Sequence, residues 1–267
     1  MTPKVPPVTL AQVTDMHLLA DAQGILRGCS PAENLKQILN HLSAFPLDVL
    51  LLTGDLAEAG EPEAYQQLLQ LLHPLEMPIY WLAGNHDCLS HAHQILSPHY
   101  PGVTEHCRSV LLGQWHLILV NSVLPTAQWG EGYLRDTTLR ELETLLLTHP
   151  DRPTLIVLHH HPLSVGIDWL DQIAVQNGSE LLSQLDRFPQ VKIVLFGHIH
   201  WAFECHQANK AFYGCPASSV QVTPPPPLPP SQTPGFRILT LWPDGTHQTQ
   251  VHRVPFPEGV APQPELT

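Results

Sequence analysis

Five short segments rich in Asp, Asn and His each follow an apolar run of the chain. They are Asp15-Met16-His17, Gly54-Asp55, Gly84-Asn85-His86-Asp87, His159-His160-His161-Pro162 and Gly197-His198-Ile199-His200. Carboxylate, amide and imidazole groups without a thiolate suit Mn, Fe, Zn or similar ions and do not suit an iron–sulfur cluster. Repetition of these residue types at five separate places predicts a metal site rather than ordinary turns.

These segments hold more potential ligands than one tetrahedral ion can use, but they fit two ions that share a bridging carboxylate. Two divalent ions about 3.5–4 Å apart promote in-line displacement at phosphorus, because they acidify a water and neutralise the phosphoryl oxygens. The residue types therefore predict phosphoryl chemistry. The positive charge of the ions would also let an acidic protein bind an anionic substrate.

The elements that must position these segments alternate along the chain. Strands are predicted at residues 8–13, 48–52, 79–83, 110–112, 115–120, 154–158 and 191–196. Helices are predicted at residues 30–42, 61–72, 137–147 and 179–186. Nearly all-apolar strands that alternate with helices predict a sheet covered on both faces. Because ligands bind at the carboxyl ends of the strands in such sheets, the five segments are expected to meet there.

The pattern changes after Trp201. Alternating polar and apolar residues at 202–206, 211–215, 236–242 and 247–254 predict antiparallel hairpins, and residues 224–230 (PPPPLPP) predict an extended loop. Residues 260–267 are predicted to be a frayed tail. Without a repeat or a boundary, the sequence predicts one domain over residues 1–267, with a metal-binding core at 8–201 and hairpins at 202–256.

Composition excludes several classes of partner. The 267 residues carry 12 Lys and Arg against 24 Asp and Glu, a formal net charge of -12. This balance argues against binding to long nucleic acids or to an anionic membrane, since both require basic surfaces. The chain lacks an apolar run of the ~18 residues that a membrane helix needs. Five cysteines without CxxC spacing predict reduced thiols and a cytoplasmic location.

In their order and spacing, the five segments resemble the signature of the calcineurin-like metallophosphoesterases over residues 9–201. The resemblance implies an α/β (α+β) fold, a four-layer α-β-β-α sandwich with the active site at the carboxyl ends of the strands. It also implies a cofactor of two divalent transition-metal ions. Mn and Fe are expected, with Zn, Co or Mg as alternatives.

The resemblance assigns seven metal ligands. The ligands of the first ion would be Asp15, His17 and His200. The ligands of the second ion would be Asn85, His160 and His198. Asp55 would bridge the two ions. His160 is selected from the three consecutive histidines because Pro162 lies two residues after it, as in the H-x-P pattern of the family.

His86 follows a ligand without being one, and the resemblance implies that it protonates or steadies the leaving oxygen. The branch that the chain resembles is that of the bacterial class III cyclic nucleotide phosphodiesterases, on residues 159–171, 215–221 and 234–239. This branch implies hydrolysis of 3′,5′-cAMP to 5′-AMP and a possible homodimer. Residues expected to contact the substrate are Asn85, His86, His200 and Trp169. Trp169 would form an apolar wall for the base together with Ser218 and Phe236.

Two alternatives stay open. The same chemistry would serve a broad-specificity phosphodiesterase acting on 2′,3′-cyclic nucleotides, glycerophosphodiesters or aryl phosphodiesters, because substrate pockets differ in only a few loop side chains. A non-catalytic scaffold of the same fold is the second alternative. The presence of all seven ligand types and of His86 argues against the scaffold.

Overall fold

The computed structural model describes residues 5–103, 105–223 and 232–255. Its elements in chain order are β1 (Val8–Val13), α1 (Pro31–Leu42), β2 (Val49–Thr53), α2 (Pro62–Leu72), β3 (Ile79–Leu82), α3 (Leu89–Leu96), β4 (Cys107–Leu112), β5 (Trp115–Val120), α4 (Asp136–Thr148), β6 (Thr154–Val157), α5 (Asp168–Asp171), α6 (Gly178–Asp186), β7 (Val191–Phe196), β8 (Phe203–Gln207), β9 (Lys210–Gly214), β10 (Gly235–Leu241) and β11 (His247–Arg253).

The strands form two mixed sheets. The first has the order β11-β10-β1-β2-β3 and the second has the order β4-β5-β6-β7-β9-β8. Within the first sheet β1, β2 and β3 are parallel, and within the second β5, β6 and β7 are parallel. Parallel neighbours end at the same edge of a sheet, so the segments after these strands converge.

Apolar side chains divide the molecule into four layers. The two sheets face each other across a buried core that includes Leu10 and Leu51 from the first sheet and Trp115 and Leu195 from the second. Helices α1, α2 and α3 cover the outer face of the first sheet, and α4 and α6 cover the outer face of the second. The α-β-β-α arrangement expected from the sequence is confirmed.

Local sequence signals explain most of these elements. Pro31 begins α1, and the preceding Ser30 accepts a hydrogen bond on its side chain from the backbone N–H of Glu33 at 3.4 Å. Two helices were not predicted. The eight residues of α3 include only two buried apolar side chains and lack a side-chain cap, and α5 is a single turn, so neither produces a clear periodic pattern.

The two C-terminal hairpins join different sheets. The β8–β9 hairpin extends the second sheet through a parallel pairing of β9 with β7, whereas the β10–β11 hairpin extends the first sheet through β1. The predicted hairpins are confirmed, although the sequence did not indicate that they separate. The proline-rich residues 224–230 and the tail at 260–267 lie outside the described residues.

The sheets approach each other closely where β2 and β6 end. Gly54, which follows β2, has a φ of +99°, and a Cβ placed on it would lie 2.3 Å from Nδ1 of His159 and 2.9 Å from the backbone nitrogen of Gly84. Only glycine fits this conformation and this space. The close approach brings the segment after β6 against the segments after β2 and β3.

We expect Gly54→Ala to destabilise the metal-free protein more than Gly113→Ala does. Gly113 is a matched control, because its φ is also positive (+55°) but its Cβ would meet only Cγ2 of Val8, at 3.0 Å. Gly113→Ala should cost about 1–2 kcal/mol from backbone strain alone, and the clash with His159 should add about 1–3 kcal/mol for Gly54→Ala. Urea unfolding in chelator measures both, and equal losses would contradict the close packing.

Candidate metal centre

The ends of three strands, β1, β2 and β7, carry donor residues in an uncommon backbone conformation. Eight described residues other than glycine have a positive φ, and five of them belong to the Asp- and His-rich segments. These five are Asp15 (51°), His17 (48°), Asp55 (48°), His198 (68°) and His200 (61°). Backbone strain of this kind costs of order 1–3 kcal/mol per residue and clusters at functional sites. The strain turns each side chain sharply out of its strand direction.

The first group of donors consists of Asp15, His17, Asp55 and His200, and all but the partly exposed His200 are buried where the two sheets meet. Nε2 of His200 lies 3.2 Å from Oδ1 of Asp15 and 3.3 Å from Nε2 of His17. Nε2 of His17 lies 3.6 Å from Oδ2 of Asp55. The structure thus brings together all the residues expected around the first ion, including the expected bridge.

Protein partners fix the direction of these imidazoles. Nδ1 of His17 donates to the Glu58 carboxylate at 2.6 Å, and Nδ1 of His200 donates to the backbone carbonyl of Val220 at 2.7 Å. In the neutral imidazoles each Nε2 then carries the lone pair, and the two lone pairs point into one space with a carboxylate oxygen. Converging acceptors of this kind are satisfied by a cation, so the group fits a metal ion. Sequence reasoning did not identify Glu58.

The second group lies on the other side of Asp55. Nε2 of His159 is 3.3 Å from Oδ2 of Asp55 and 3.2 Å from Oδ1 of Asn85, while its Nδ1 donates to the backbone carbonyl of Thr53 at 2.9 Å. His198 packs beside His159 with ring centroids 5.1 Å apart, and its Nε2 donates to the carbonyl of Ile173 at 3.1 Å. Nε2 of His159 and Oδ1 of Asn85 thus meet beside the shared carboxylate, with the ring of His198 packed against that of His159.

His160 faces a different set of atoms. It belongs to a cluster with His159 and His198 that could hold an ion, but protein groups occupy both of its ring nitrogens. Its Nε2 donates to the carbonyl of Gly130 at 3.1 Å, and its Nδ1 accepts from the Ser122 hydroxyl at 2.8 Å. The structure thus places His159, and not His160, within 3.3 Å of Asp55, while His160 as an ion ligand stays a prediction from the H-x-P pattern.

The pKa shifts in both donor groups are those expected of a site that binds positive charge. Burial would raise the pKa of Asp55, but the charge and hydrogen bond of His159 hold this pKa well below its usual value. Burial would likewise lower the pKa of His159, but the Asp55 carboxylate raises it to about 9. Asp15 and His200 show the same pattern, with a lowered carboxyl pKa and a raised imidazole pKa. Divalent ions would replace these shared protons.

His86 lies at the mouth of the site. Its backbone N–H donates to Oδ1 of Asp55 at 2.9 Å, and its Nδ1 donates to the backbone carbonyl of Glu58 at 2.8 Å. The bond at Nδ1 leaves Nε2 as the nitrogen that can exchange a proton. The side chain is 38% exposed, in contrast to the buried histidines around Asp55. This position allows His86 to reach a substrate.

Asp87 holds two of the loops together, a role that sequence reasoning missed. Its carboxylate accepts hydrogen bonds from the backbone N–H groups of Leu56, Ala57 and Gly84, at 2.8–3.1 Å, and from the Tyr65 hydroxyl at 3.0 Å. Burial and the nearby Asp55 charge raise the pKa of Asp87 to about 6. These bonds tie the segment after β2 to the segment after β3, which carry the bridging carboxylate and Asn85.

A cleft of about 250 Å³ opens over both donor groups. Residues of the predicted site that line it are His17, Asp55, Asn85, His86, Trp169, His198 and His200. Trp129 and Arg27 also line the cleft and were not predicted. Phe236 and Ser218 were expected to form its wall together with Trp169, but they are only 1% exposed and pack elsewhere in the interior. Trp169 itself is 54% exposed at the cleft.

Comparison with known proteins agrees with this geometry. The chain matches the calcineurin-like phosphoesterase family over residues 8–202. It is 40% identical over 267 residues to a 3′,5′-cyclic-nucleotide phosphodiesterase of Nostoc sp., which covers 96% of both chains. It is 34% identical over 251 residues to the 3′,5′-cyclic adenosine monophosphate phosphodiesterase CpdA of Escherichia coli, which covers 92% of this chain and 90% of CpdA.

Solved structures share the fold at low sequence identity. A dimetal phosphatase from Danio rerio has a TM-score of 0.67 at 13% identity and covers 91% of this chain and 98% of its own. GAP50, the anchor in the inner membrane complex of Plasmodium, has a TM-score of 0.62 at 14% identity and covers 95% and 90%. In the described residues, none of the helices is both long and apolar enough to span a bilayer.

Calcineurin-like phosphoesterases use a dinuclear metal site, and the matched segment contains both donor groups that share Asp55. The chain belongs to the calcineurin-like phosphoesterase family.

Proposed function

We propose that the protein is a dinuclear-metal phosphodiesterase that hydrolyses a small cyclic nucleotide, 3′,5′-cAMP, to 5′-AMP. The observation that carries the proposal is the position of the buried Asp55 carboxylate, which belongs to one donor cluster with Asp15, His17 and His200 and lies 3.3 Å from His159 of a second cluster, beneath an open cleft. The names of the relatives from Nostoc and Escherichia coli, a 3′,5′-cyclic-nucleotide phosphodiesterase and a 3′,5′-cyclic adenosine monophosphate phosphodiesterase, support the same substrate class.

In this proposal seven side chains hold two divalent ions. Those of the first ion are Asp15, His17 and His200, and those of the second are Asn85, His159 and His198. Asp55 would bridge the two ions, and His159 would take the place of His160 because its Nε2 faces Asp55 and Asn85. When bound, such a pair of ions supplies positive charge to the phosphoryl oxygens and acidifies the attacking water. The nitrogen and oxygen donors are compatible with Mn or Fe, and also with Zn, Co or Mg.

The protein side chains position the substrate and move a proton. We assign substrate contacts to Asn85, His86, His200 and Trp169, which all line the cleft. Nε2 of His86 donates a proton to the 3′ oxygen as its bond to phosphorus breaks, while the bond from Nδ1 to the Glu58 carbonyl fixes the ring. The buried acceptors beneath the cleft would hold the ions, whose positive charge attracts the phosphate.

The size of the substrate, the oligomeric state and the location of the protein are proposed from the sequence. The formal net charge of -12 supports a small-molecule diester rather than a long nucleic acid as the substrate. A homodimer and a cytoplasmic location remain predictions. The scaffold alternative is disfavoured, because in a scaffold the strained backbone at five donor residues would have no function to retain it.

The substrate assignment predicts a preference in kinetics. The protein reconstituted with Mn should hydrolyse 3′,5′-cAMP with a kcat/KM at least about tenfold above that for 2′,3′-cAMP or bis(p-nitrophenyl) phosphate, a difference of roughly 1.4 kcal/mol in transition-state binding. Activity should disappear in strong chelator. Equal kcat/KM values on the three substrates would replace this assignment with a broad-specificity phosphodiesterase.

The choice between neighbouring histidines predicts a difference in metal content. His159→Ala should bind about one equivalent of Mn per chain after dialysis, whereas His160→Ala should keep about two, because His160 uses both nitrogens on protein groups. Inductively coupled plasma mass spectrometry measures both variants against the wild type. Loss of an equivalent from His160→Ala, with two retained in His159→Ala, would restore the ligand set inferred from the H-x-P pattern.

The role of His86 predicts a dependence on the leaving group. His86→Ala should keep both metal equivalents and lose about 10²–10⁴-fold in kcat on 3′,5′-cAMP. The loss should be much smaller on a p-nitrophenyl diester, whose leaving group needs no proton. His91→Ala is a matched control, because Nδ1 of His91 donates to a backbone carbonyl in the same way, at 2.8 Å, away from the cleft. Equal losses of His86→Ala on both substrates would disprove proton donation.

A further inference from the structure

Two tryptophans at the mouth of the cleft are unusually exposed. Of the six tryptophans in the chain, Trp129 is 81% and Trp169 is 54% exposed, and both line the cleft above the donor groups. Three others, Trp81, Trp115 and Trp201, are at most 2% exposed. Large apolar side chains that remain in water beside polar groups mark binding surfaces.

The loop that carries Trp129 is attached to the metal centre. The Glu131 carboxylate accepts from the backbone N–H groups of Gln128 and Trp129, at 3.1 and 2.9 Å, which fixes the turn. The carbonyl of Gly130 accepts from Nε2 of His160, and a Cβ on Gly130 would lie only 2.8 Å from Nδ2 of Asn85. The position of Trp129 is therefore set by residues that lie against the phosphate site.

The loop that carries Trp169 is fixed in a comparable way. Trp169 lies in the single turn α5, and the Asp171 carboxylate accepts from the Ser164 hydroxyl at 2.6 Å and from the backbone N–H of Val165 at 2.8 Å. The next residue, Leu170, is 1% exposed and anchors the turn in the core. The ring of Trp169 is thus held at the cleft although it is half in solvent.

We propose that Trp129 and Trp169 together bind the nucleobase of the substrate by stacking, and so determine that the site accepts nucleotides rather than phosphodiesters in general. The inference rests on the proposed function. Apart from the donor groups and their neighbours, the cleft is lined by apolar side chains and one cation, namely Leu26, Arg27, Leu170, Ile173, Val220 and Val222. Such a lining holds a flat aromatic base through contact area and stacking.

The test compares cyclic nucleotides with a matched substrate that lacks a base, 1-deoxyribose 3′,5′-cyclic phosphate. Trp129→Ala and Trp169→Ala should each raise KM for 3′,5′-cAMP about tenfold, the effect of losing one stacked base contact, with kcat within about twofold. KM for the base-free substrate should not change. Trp129→Phe and Trp169→Phe should restore most of the affinity, and Leu147→Ala, which removes an exposed apolar side chain on α4, should have no effect.

A binding measurement gives an independent readout. Calorimetry with 5′-AMP should show about tenfold weaker binding for each alanine variant, whereas binding of ribose 5-phosphate should be unchanged. The inference is overturned if the variants lose kcat with KM unchanged, or if they lose equally on the base-free substrate. It is also overturned if the wild type treats 3′,5′-cAMP and the base-free substrate alike, a result that leaves the phosphodiesterase itself intact. Failure of the wild type to hydrolyse any cyclic nucleotide would instead refute the proposed function.

Discussion

The carboxylate of Asp55 is the contact on which the rest of the site depends. Oδ2 lies 3.3 Å from Nε2 of His159, and Oδ1 accepts the backbone N–H of His86 at 2.9 Å. A buried carboxylate needs positive charge or hydrogen bonds on all sides. The chain supplies them from both sheets, and Gly84 leaves room, since a Cβ there would lie 2.1 Å from Oδ1. The Asp55 carboxylate thus receives contacts from both sheets and from three strand ends, and the absence of a side chain at Gly84 leaves space for it.

The donor groups are oriented before any ion binds. Each imidazole that faces the centre uses its other nitrogen on a protein acceptor, as His17 does with Glu58 and His200 does with the Val220 carbonyl. These bonds set the tautomer and offset part of the cost of left-handed backbone at the strand ends. The Asp87 carboxylate adds a clamp between two loops. Stability of the fold and readiness of the site therefore come from the same hydrogen bonds.

Much of this arrangement could be predicted because its signals are local. Apolar strands that end in Asp, Asn or His predict the edge of the fold at which the donor residues converge. The choice between His159 and His160 could not be predicted, because identical residues occupy both positions and only the partners across the sheets distinguish them. The position of Trp129 at the cleft could not be predicted either, because it depends on the contact between Gly130 and Asn85. Both points depend on long-range contacts rather than on local pattern.

The central claim is that one carboxylate serves two ions at the meeting edge of two sheets. Anomalous diffraction from crystals grown with Mn tests it most directly. The account predicts two peaks per chain, about 3.5–4 Å apart, with the Asp55 carboxylate in bonding distance of both. A single peak, or a pair of peaks that Asp55 does not join, would contradict it.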